Sequence, residues 1–254
     1  MSSFTLQTIF GLVSKYDHTP VTFVTFLDVN QPTFLRQHGI LISMELTLLA
    51  YVHTDQTDEA YFRLFGLTPY SEANPQVNAK TPLHPEKLTV WCALWAGGII
   101  GPYFFKNDEG HNVTVNGDRY RAMITNFFIP ELNNHDVQEL WFQQDGATCH
   151  TARATIDLLK DTFGDHLISR FGPVNWPPRS CDLTPLDYFL WGYEKSLAYA
   201  DKPQTLDHLE DNIRRVIADI RPQMLKKVIE NWMSRLDYIR SSRGSRMPEI
   251  IFKT

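Results

Sequence analysis

LWFQQDGATCH, residues 140–150, joins a predicted strand, a carboxylate and a predicted helix. The apolar start is short enough for a buried strand, and it stops at Asp145. A helical pattern begins about four residues later, with apolar residues at Ala152, Ile156, Leu159 and Phe163. A strand that ends in Asp before a helix places the carboxylate at the C-terminal edge of a sheet, where α/β proteins carry out their chemistry. The alternative is a plain turn, since Asp-Gly is a common turn dipeptide.

Further strands are predicted on both sides of this stretch. Residues 88–105 contain two runs of aromatic and β-branched residues around a Gly-Gly turn, which indicates an antiparallel hairpin. Residues 21–27 and 46–52 also have strand-like composition, and residues 167–171 predict a short strand. The segments predict a sheet that contains both antiparallel and parallel pairs.

Helices are predicted between and after these strands. Residues 118–132 carry an apolar stripe at helical spacing. Thr184-Pro185 is a good helix start, because Thr caps well and Pro fits the first helical position. Two later helices have stripes at Leu206, Leu209, Ile213, Val216 and Ile220, and at Leu225, Val228, Trp232, Leu236 and Ile239. The order of elements predicts an α/β fold, a mixed sheet flanked by helices.

The outer faces of the last two helices are predicted to be basic. The residues concerned are Arg214, Arg215, Lys226, Lys227, Arg235 and Arg240. An ordinary solvated helix face is the preferred interpretation, and a surface that faces nucleic acid is the alternative.

Composition excludes several classes of protein. The chain has 254 residues and a net charge of -5, which argues against a surface that is basic throughout but allows a local basic groove. Cys92, Cys149 and Cys181 form no Cys-x-x-Cys pair, so neither a disulfide framework nor a zinc knuckle is supported. With no readable signal peptide and no apolar run of membrane length, we expect a reduced intracellular setting and no membrane partner.

Two further acidic positions have structural explanations. With Thr184 as the N-cap, Asp187 is the third helical residue, where an acid complements the helix dipole and resembles a capping box. Asp58 lies in a run of acids, DQTDE at residues 55–59, which follows a β-prone segment. That cluster is either a metal site or a solvated loop, and composition alone favours the loop.

Two motifs together resemble a known family. QQDGATCH at residues 143–150, followed by WPPRSCDLTPLD at residues 176–187, resembles the catalytic domain of Tc1/mariner-type transposases. The resemblance runs from about residue 58 to MPEIIF at residues 247–252. It implies a ribonuclease-H-like fold and a site of three carboxylates that bind metal.

The resemblance assigns a role to each carboxylate. Asp145 matches the second, and Asp187 matches the third, where mariner-like members have Asp and Tc1-like members have Glu. Asp58 matches the first, with Asp55 and Glu59 as alternatives. In the family the residue that corresponds to Asp182 is acidic but is not a metal ligand.

These roles imply catalysis with two Mg²⁺ ions, for which Mn²⁺ can substitute. In-line attack on a phosphodiester builds charge on the attacking and leaving oxygens, and a pair of cations stabilises both. Mg²⁺ prefers oxygen ligands, so Asp145 should bridge the ions while Asp58 and Asp187 each complete one side. His150 and Asn175 lie near the motifs, either to contact the scissile phosphate or to make local hydrogen bonds.

The chain departs from the family in three respects. Residues 1–45 do not resemble the family's helix-turn-helix, so we expect a truncated copy with a poorly defined segment at 1–45 and the catalytic domain at 46–254. The region after Phe62 is shortened, which makes Asp58 the least secure ligand. The interval from Asp145 to Asp187 (187 − 145 = 42 positions) exceeds the commonest mariner spacing.

The resulting hypothesis is a nuclear transposase catalytic domain. It would cut and transfer DNA strands with Mg²⁺, with transposon ends and target DNA as partners and a homodimer as an option. Whether this copy is an active enzyme stays open. The alternative is a catalytically silent DNA- or protein-binding remnant. A nuclease such as ribonuclease H is less favoured, because residues 176–187 are transposase-like.

Overall fold

The sheet of this protein is mixed, as predicted. A computed structural model describes residues 39–50, 86–176 and 183–243. Within these residues the strands are β1 (Ile40–Ala50), β2 (Glu86–Trp95), β3 (Gly98–Phe104), β4 (Trp141–Gln144) and β5 (Leu167–Ile168). They lie in the order β3-β2-β1-β4-β5. β2 pairs antiparallel with β1 and β3, whereas β4 pairs parallel with β1 and β5.

Helices pack on both faces of this sheet. In chain order they are α1 (Gly117–Met123), α2 (Ile129–Asn134), α3 (Thr148–Thr151), α4 (Arg153–Phe163), α5 (Trp191–Ala198), α6 (Leu206–Ala218) and α7 (Pro222–Ser241). A π-helical turn, Ile124–Phe128, joins α1 to α2, and another, Leu186–Leu190, leads into α5. None of the described helices is both long and apolar enough to cross a membrane.

β1 is the central strand, and its alternation divides the core in two. Ile40 and Ile42 are buried among residues of α5, α6 and α7. Leu41 is buried on the opposite face with Phe142 of β4, among residues of α1, α2 and α4. Because successive side chains of a strand point to opposite faces, an apolar residue at each of these positions is typical of a strand covered on both sides.

The predicted hairpin is confirmed as β2 and β3. Its register shifts between Trp91 and Ala93. Opposite this irregularity Gly101 has φ +116°, and an added Cβ would lie 2.8 Å from the Trp91 carbonyl oxygen. Both the backbone conformation and the space therefore require glycine at this position.

Several predicted elements have different bounds or fall outside the description. β1 begins at Ile40, before the predicted strand at 46–52, so the proposed boundary between residues 45 and 46 lies inside it; the division into segments stays a prediction. In the predicted strand at 167–171, only Leu167 and Ile168 are β, and Phe171 lies in a turn with φ +68°. The predicted strand at 21–27 lies outside the described residues.

The prediction that Arg235 lies on an outer helix face is wrong. Its side chain is buried in α7, with the guanidinium carbon 3.8 Å from the centre of the Tyr188 ring and Nε donating to Asn231 Oδ1 at 2.6 Å. The face of the Tyr188 ring and the amide oxygen of Asn231 offset the cost of removing the Arg235 charge from water. The other five basic residues of that predicted surface are exposed.

Candidate active site

Asp145 is the first residue after β4, at the sheet edge that the sequence predicts. Its Oδ1 accepts a hydrogen bond from the backbone N–H of Ala147 at 3.0 Å. This side-chain-to-backbone link two residues ahead is an Asx turn, which explains why the chain reverses here before α3. The same Oδ1 lies 2.5 Å from Nδ1 of His150. Both contacts hold one carboxylate oxygen in place.

A buried amide fixes the loop between Asp145 and His150. Gln144, the last residue of β4, accepts a hydrogen bond from the Tyr120 hydroxyl at 2.9 Å. Its Nε2 donates to the His150 carbonyl at 3.1 Å and to Ser169 Oγ at 2.9 Å. Because buried amides are costly unless satisfied, this network specifies the loop conformation.

His150 lies between two carboxylates. The ring is fully buried, with Nδ1 beside Asp145 and Nε2 2.6 Å from Oε2 of Glu45. Burial alone would lower the pKa of His150, but Glu45, Tyr120 and Asp145 together raise that pKa well above its usual range. The imidazole is therefore protonated at neutral pH, and its role among the described residues is local pairing.

The same contacts keep Asp145 ionised. Burial would raise its pKa, but the hydrogen bond from His150, the charge of His150 and the Ala147 N–H lower it. A charged carboxylate at this edge is available to a cation, because both hydrogen bonds described above are accepted by Oδ1.

Asp187 lies close enough to Asp145 for the two charges to interact. It is in the first turn of the helix that begins at Pro185, where its N–H donates to the Thr184 carbonyl at 2.9 Å. Burial, and then the charge of Asp145, raise the pKa of Asp187 to about 6, although Lys195 acts in the opposite direction. The charge of Asp145 thus acts on Asp187, although the two acids are 42 positions apart in the sequence.

The remaining predicted acids lie outside the residues that the structure describes. They are Asp58, its alternatives Asp55 and Glu59, and the non-ligand Asp182. Their roles stay predictions. Asn175 is described, and its Oδ1 is buried without a hydrogen-bond partner among the described residues.

Glu45 is a site residue that the sequence did not reveal. β1 pairs in parallel with β4, Ser43 opposite Gln144, which brings the strand beside the Asp145 loop. Alternation then puts Glu45 on the face of Leu41 and Ser43, toward His150. The available signal was a charged residue, Glu45, within the apolar run ISMELTLL at residues 42–49.

The sheet order and mixed pairing define the ribonuclease-H-like fold, and comparisons with known proteins agree. No model of a protein family matches the chain. The Tc3 transposase of Caenorhabditis elegans is 26% identical over 133 residues, which are 52% of this chain and 38% of that protein. The chain thus matches well under half the length of this relative.

Solved structures of the Mos1 mariner transposase have the same fold. Its catalytic domain, solved with raltegravir and Mg, matches with a TM-score of 0.63 and 17% identity, covering 92% of this chain and 98% of that one. Its paired-end complex with the left transposon end also gives 0.63 and 17%, covering 91% and 63%. At this identity the match establishes the fold. Together the findings confirm the predicted resemblance to a Tc1/mariner-type transposase catalytic domain.

Proposed function

We propose that this domain cuts and joins DNA strands with Mg²⁺, as a transposase catalytic domain. The observation that supports the proposal is the electrostatic coupling of Asp145, at the end of β4, to Asp187, at the start of a helix distant in the chain. Two carboxylates whose charges interact repel each other, and a cation bound by both offsets that repulsion. In the proposed function this cation is the Mg²⁺ that takes part in cutting and joining DNA.

The residues fit a hard divalent cation. Asp145 is ionised, Asp187 offers a second carboxylate, and both are oxygen donors of the kind that Mg²⁺ prefers. Asp145 and Asp187 would hold the metal, together with the predicted Asp58. When bound, a pair of such ions stabilises the charge on the attacking and leaving oxygens of a phosphodiester. His150 and the Ala147 N–H orient Asp145 for this task.

DNA is the proposed substrate and partner. The solved Mos1 complex with a transposon end provides the precedent for a DNA partner and a paired assembly. In this chain Arg214, Arg215, Lys226, Lys227 and Arg240 are exposed on α6 and α7, where they could contact phosphates. We propose the nucleus as the place of action, since that is where the substrate is found.

Nicking of supercoiled plasmid DNA by the full chain tests the proposal. The wild-type protein should nick in the presence of Mg²⁺ or Mn²⁺ and not in EDTA. Asp145→Asn and Asp187→Asn should each reduce nicking to background, whereas Asp165→Asn, at an exposed acid in a short 3₁₀ helix, should leave it unchanged. Equal nicking by wild type and Asp145→Asn would assign the activity to another site.

One observation favours a second candidate function, a catalytically silent DNA- or protein-binding remnant. The protonated His150 already supplies a positive charge to Asp145, so this acid is stable without metal. Calorimetry distinguishes the two functions. Mg²⁺ or Mn²⁺ binding that is lost in Asp145→Asn supports the enzyme, and absence of binding to wild type supports the remnant.

A further inference from the structure

A second group of metal-binding side chains lies on the far side of His150 from Asp145. Glu45, Cys149 and His150 each offer one donor atom, and these three atoms lie within 4.8 Å of one another. Cys149 Sγ donates to Glu45 Oε1 at 3.2 Å, and Glu45 Oε2 lies 2.6 Å from His150 Nε2. Three residues from two distant parts of the chain therefore converge on one point.

The donor atom that His150 contributes to this group is its buried Nε2. It is fully buried, and despite its short contact with Glu45 it makes no aligned hydrogen bond to the described residues. A metal ion bound here would give Nε2 an aligned partner, which buried polar atoms in proteins usually have. The neighbours of Nε2 here are a thiol and a carboxylate, which are both metal ligands.

We propose that Glu45, Cys149 and His150 bind one divalent transition-metal ion of the zinc class. A thiolate, an imidazole and a carboxylate are ligands that zinc accepts, whereas Mg²⁺ selects oxygen donors. Three protein ligands leave a fourth position for water. Cys149 is only partly buried, so the position can be reached from solvent.

Asp145 supports this site from the other side of the ring. By accepting the Nδ1–H of His150 it fixes the ring so that Nε2 faces Glu45 and Cys149. A carboxylate behind a metal-binding histidine is the usual arrangement that sets its tautomer and orientation. Asp145 thus belongs to both sites, as a proposed ligand in one and a positioning residue in the other.

Binding requires small movements and the loss of protons. Tetrahedral zinc ligands lie roughly 3.3 to 3.8 Å apart, given metal–ligand bonds of about 2.0 to 2.3 Å. The donor contacts of 2.6 and 3.2 Å are shorter, so the Glu45 carboxylate must swing outward. The ion displaces the protons of Nε2 and Sγ to solvent, and its charge then takes the place of the imidazolium proton beside Glu45.

Cobalt absorption tests this site without relying on catalysis. Co²⁺ added to the full-length protein should give a thiolate-to-cobalt charge-transfer band together with tetrahedral d–d bands, and Zn²⁺ should displace both. The band should be lost in Cys149→Ser. It should persist in a Cys92→Ser, Cys181→Ser double variant, which retains Cys149 as its sole cysteine. Glu45→Gln should weaken Co²⁺ binding at least about tenfold.

The result of the cobalt experiment can be distinguished from failure of the proposed function. Asp187→Asn should abolish nicking and keep the charge-transfer band, because Asp187 is not among the three donors. Cobalt bound by oxygen ligands alone would give no thiolate band. A wild-type protein without that band, or a band that survives Cys149→Ser, would overturn the inference.

Discussion

The indole N–H of Trp232 in α7 donates a 2.7 Å hydrogen bond to the carbonyl of Leu183, two residues before the helix that carries Asp187. Both residues are buried. The C-terminal helix therefore anchors the backbone from which the third proposed carboxylate projects. A residue far from the site in sequence thus helps to set its geometry.

Trp232→Phe should destabilise the protein more than Trp191→Phe. Trp232 loses its hydrogen bond and leaves a buried carbonyl without this donor, which costs about 1 to 3 kcal/mol. Trp191 is an equally buried control whose Nε1 has no hydrogen-bond partner among the described residues, so its replacement loses packing alone. Urea denaturation of both variants measures the difference. Equal losses would show that the bond to Leu183 contributes nothing to stability.

Asp145→Asn should lower the pKa of Asp187 from its value of about 6. Removing a like charge favours the ionised form of the remaining acid. The pKa should nevertheless stay above the usual Asp range, because burial is the larger cause of the shift. NMR titration of the Asp187 side-chain carboxyl carbon reads this directly, with Asp157→Asn as a control on an exposed acid of α4. An unchanged pKa would mean that the two acids do not interact.

The free energy of unfolding of Glu194→Gln, relative to wild type, should be larger at pH 8 than at pH 5. Burial raises the pKa of Glu194 from 4.5 to about 7, although Lys195 acts in the opposite direction. An acid whose pKa is raised on folding contributes stability below its unfolded pKa, and that contribution is lost as pH rises through its folded pKa. As pH rises through this range, the wild type therefore loses up to about 3 kcal/mol of unfolding free energy that the neutral variant keeps.

The measurement is the free energy of unfolding of both proteins across this pH range. Both carboxylate oxygens of Glu194 are buried without hydrogen-bond partners in the described part of the chain, so no hydrogen bond offsets the cost of burying its charge. Glu139→Gln, at an exposed acid, is the matched control. A difference between Glu194→Gln and wild type that does not grow with pH would contradict the prediction.

Gly101→Ala should be more destabilising than Gly110→Ala. Both glycines have positive φ, +116° and +83°, so both substitutions strain the backbone. At Gly101 the new Cβ would also lie 2.8 Å from the Trp91 carbonyl oxygen, whereas nothing lies within 4 Å at Gly110. The difference between the melting temperatures of the two variants measures the effect of the contact between the new Cβ and the Trp91 carbonyl oxygen. Equal melting temperatures would mean that β3 shifts to accommodate the methyl group.

Local patterns predicted those parts of the fold that depend on nearby residues. The β2–β3 hairpin follows from its composition around a Gly-Gly turn, and the position of Asp145 follows from an apolar run that stops before Asp-Gly. The predicted helix at 118–132 contains a π-helical turn, Ile124–Phe128, and the helix predicted from Thr184-Pro185 begins with another, Leu186–Leu190. Each such turn adds to the residues per turn, which a 3.6-residue pattern does not detect.

Long-range pairing was beyond the reach of the sequence patterns. Glu45 faces His150 because of the parallel register between β1 and β4, which no local signal specifies. Arg235 lies at a position that charge alone assigns to the surface, but the Tyr188 ring covers it. The coupling of Asp145 to Asp187 was inferred from the family resemblance, since each acid alone had a structural explanation.

The central position of β1 has a consequence for synthesis on the ribosome. Ile40 pairs with Trp141, which emerges 101 positions later (141 − 40 = 101). Until then one edge of β1 lacks its parallel neighbour. The apolar side chains on both faces of β1 also stay exposed until the helices that cover them have been synthesised. Nascent chains in this state are prone to aggregate, so we expect production of this protein to depend on chaperones that shield exposed strands.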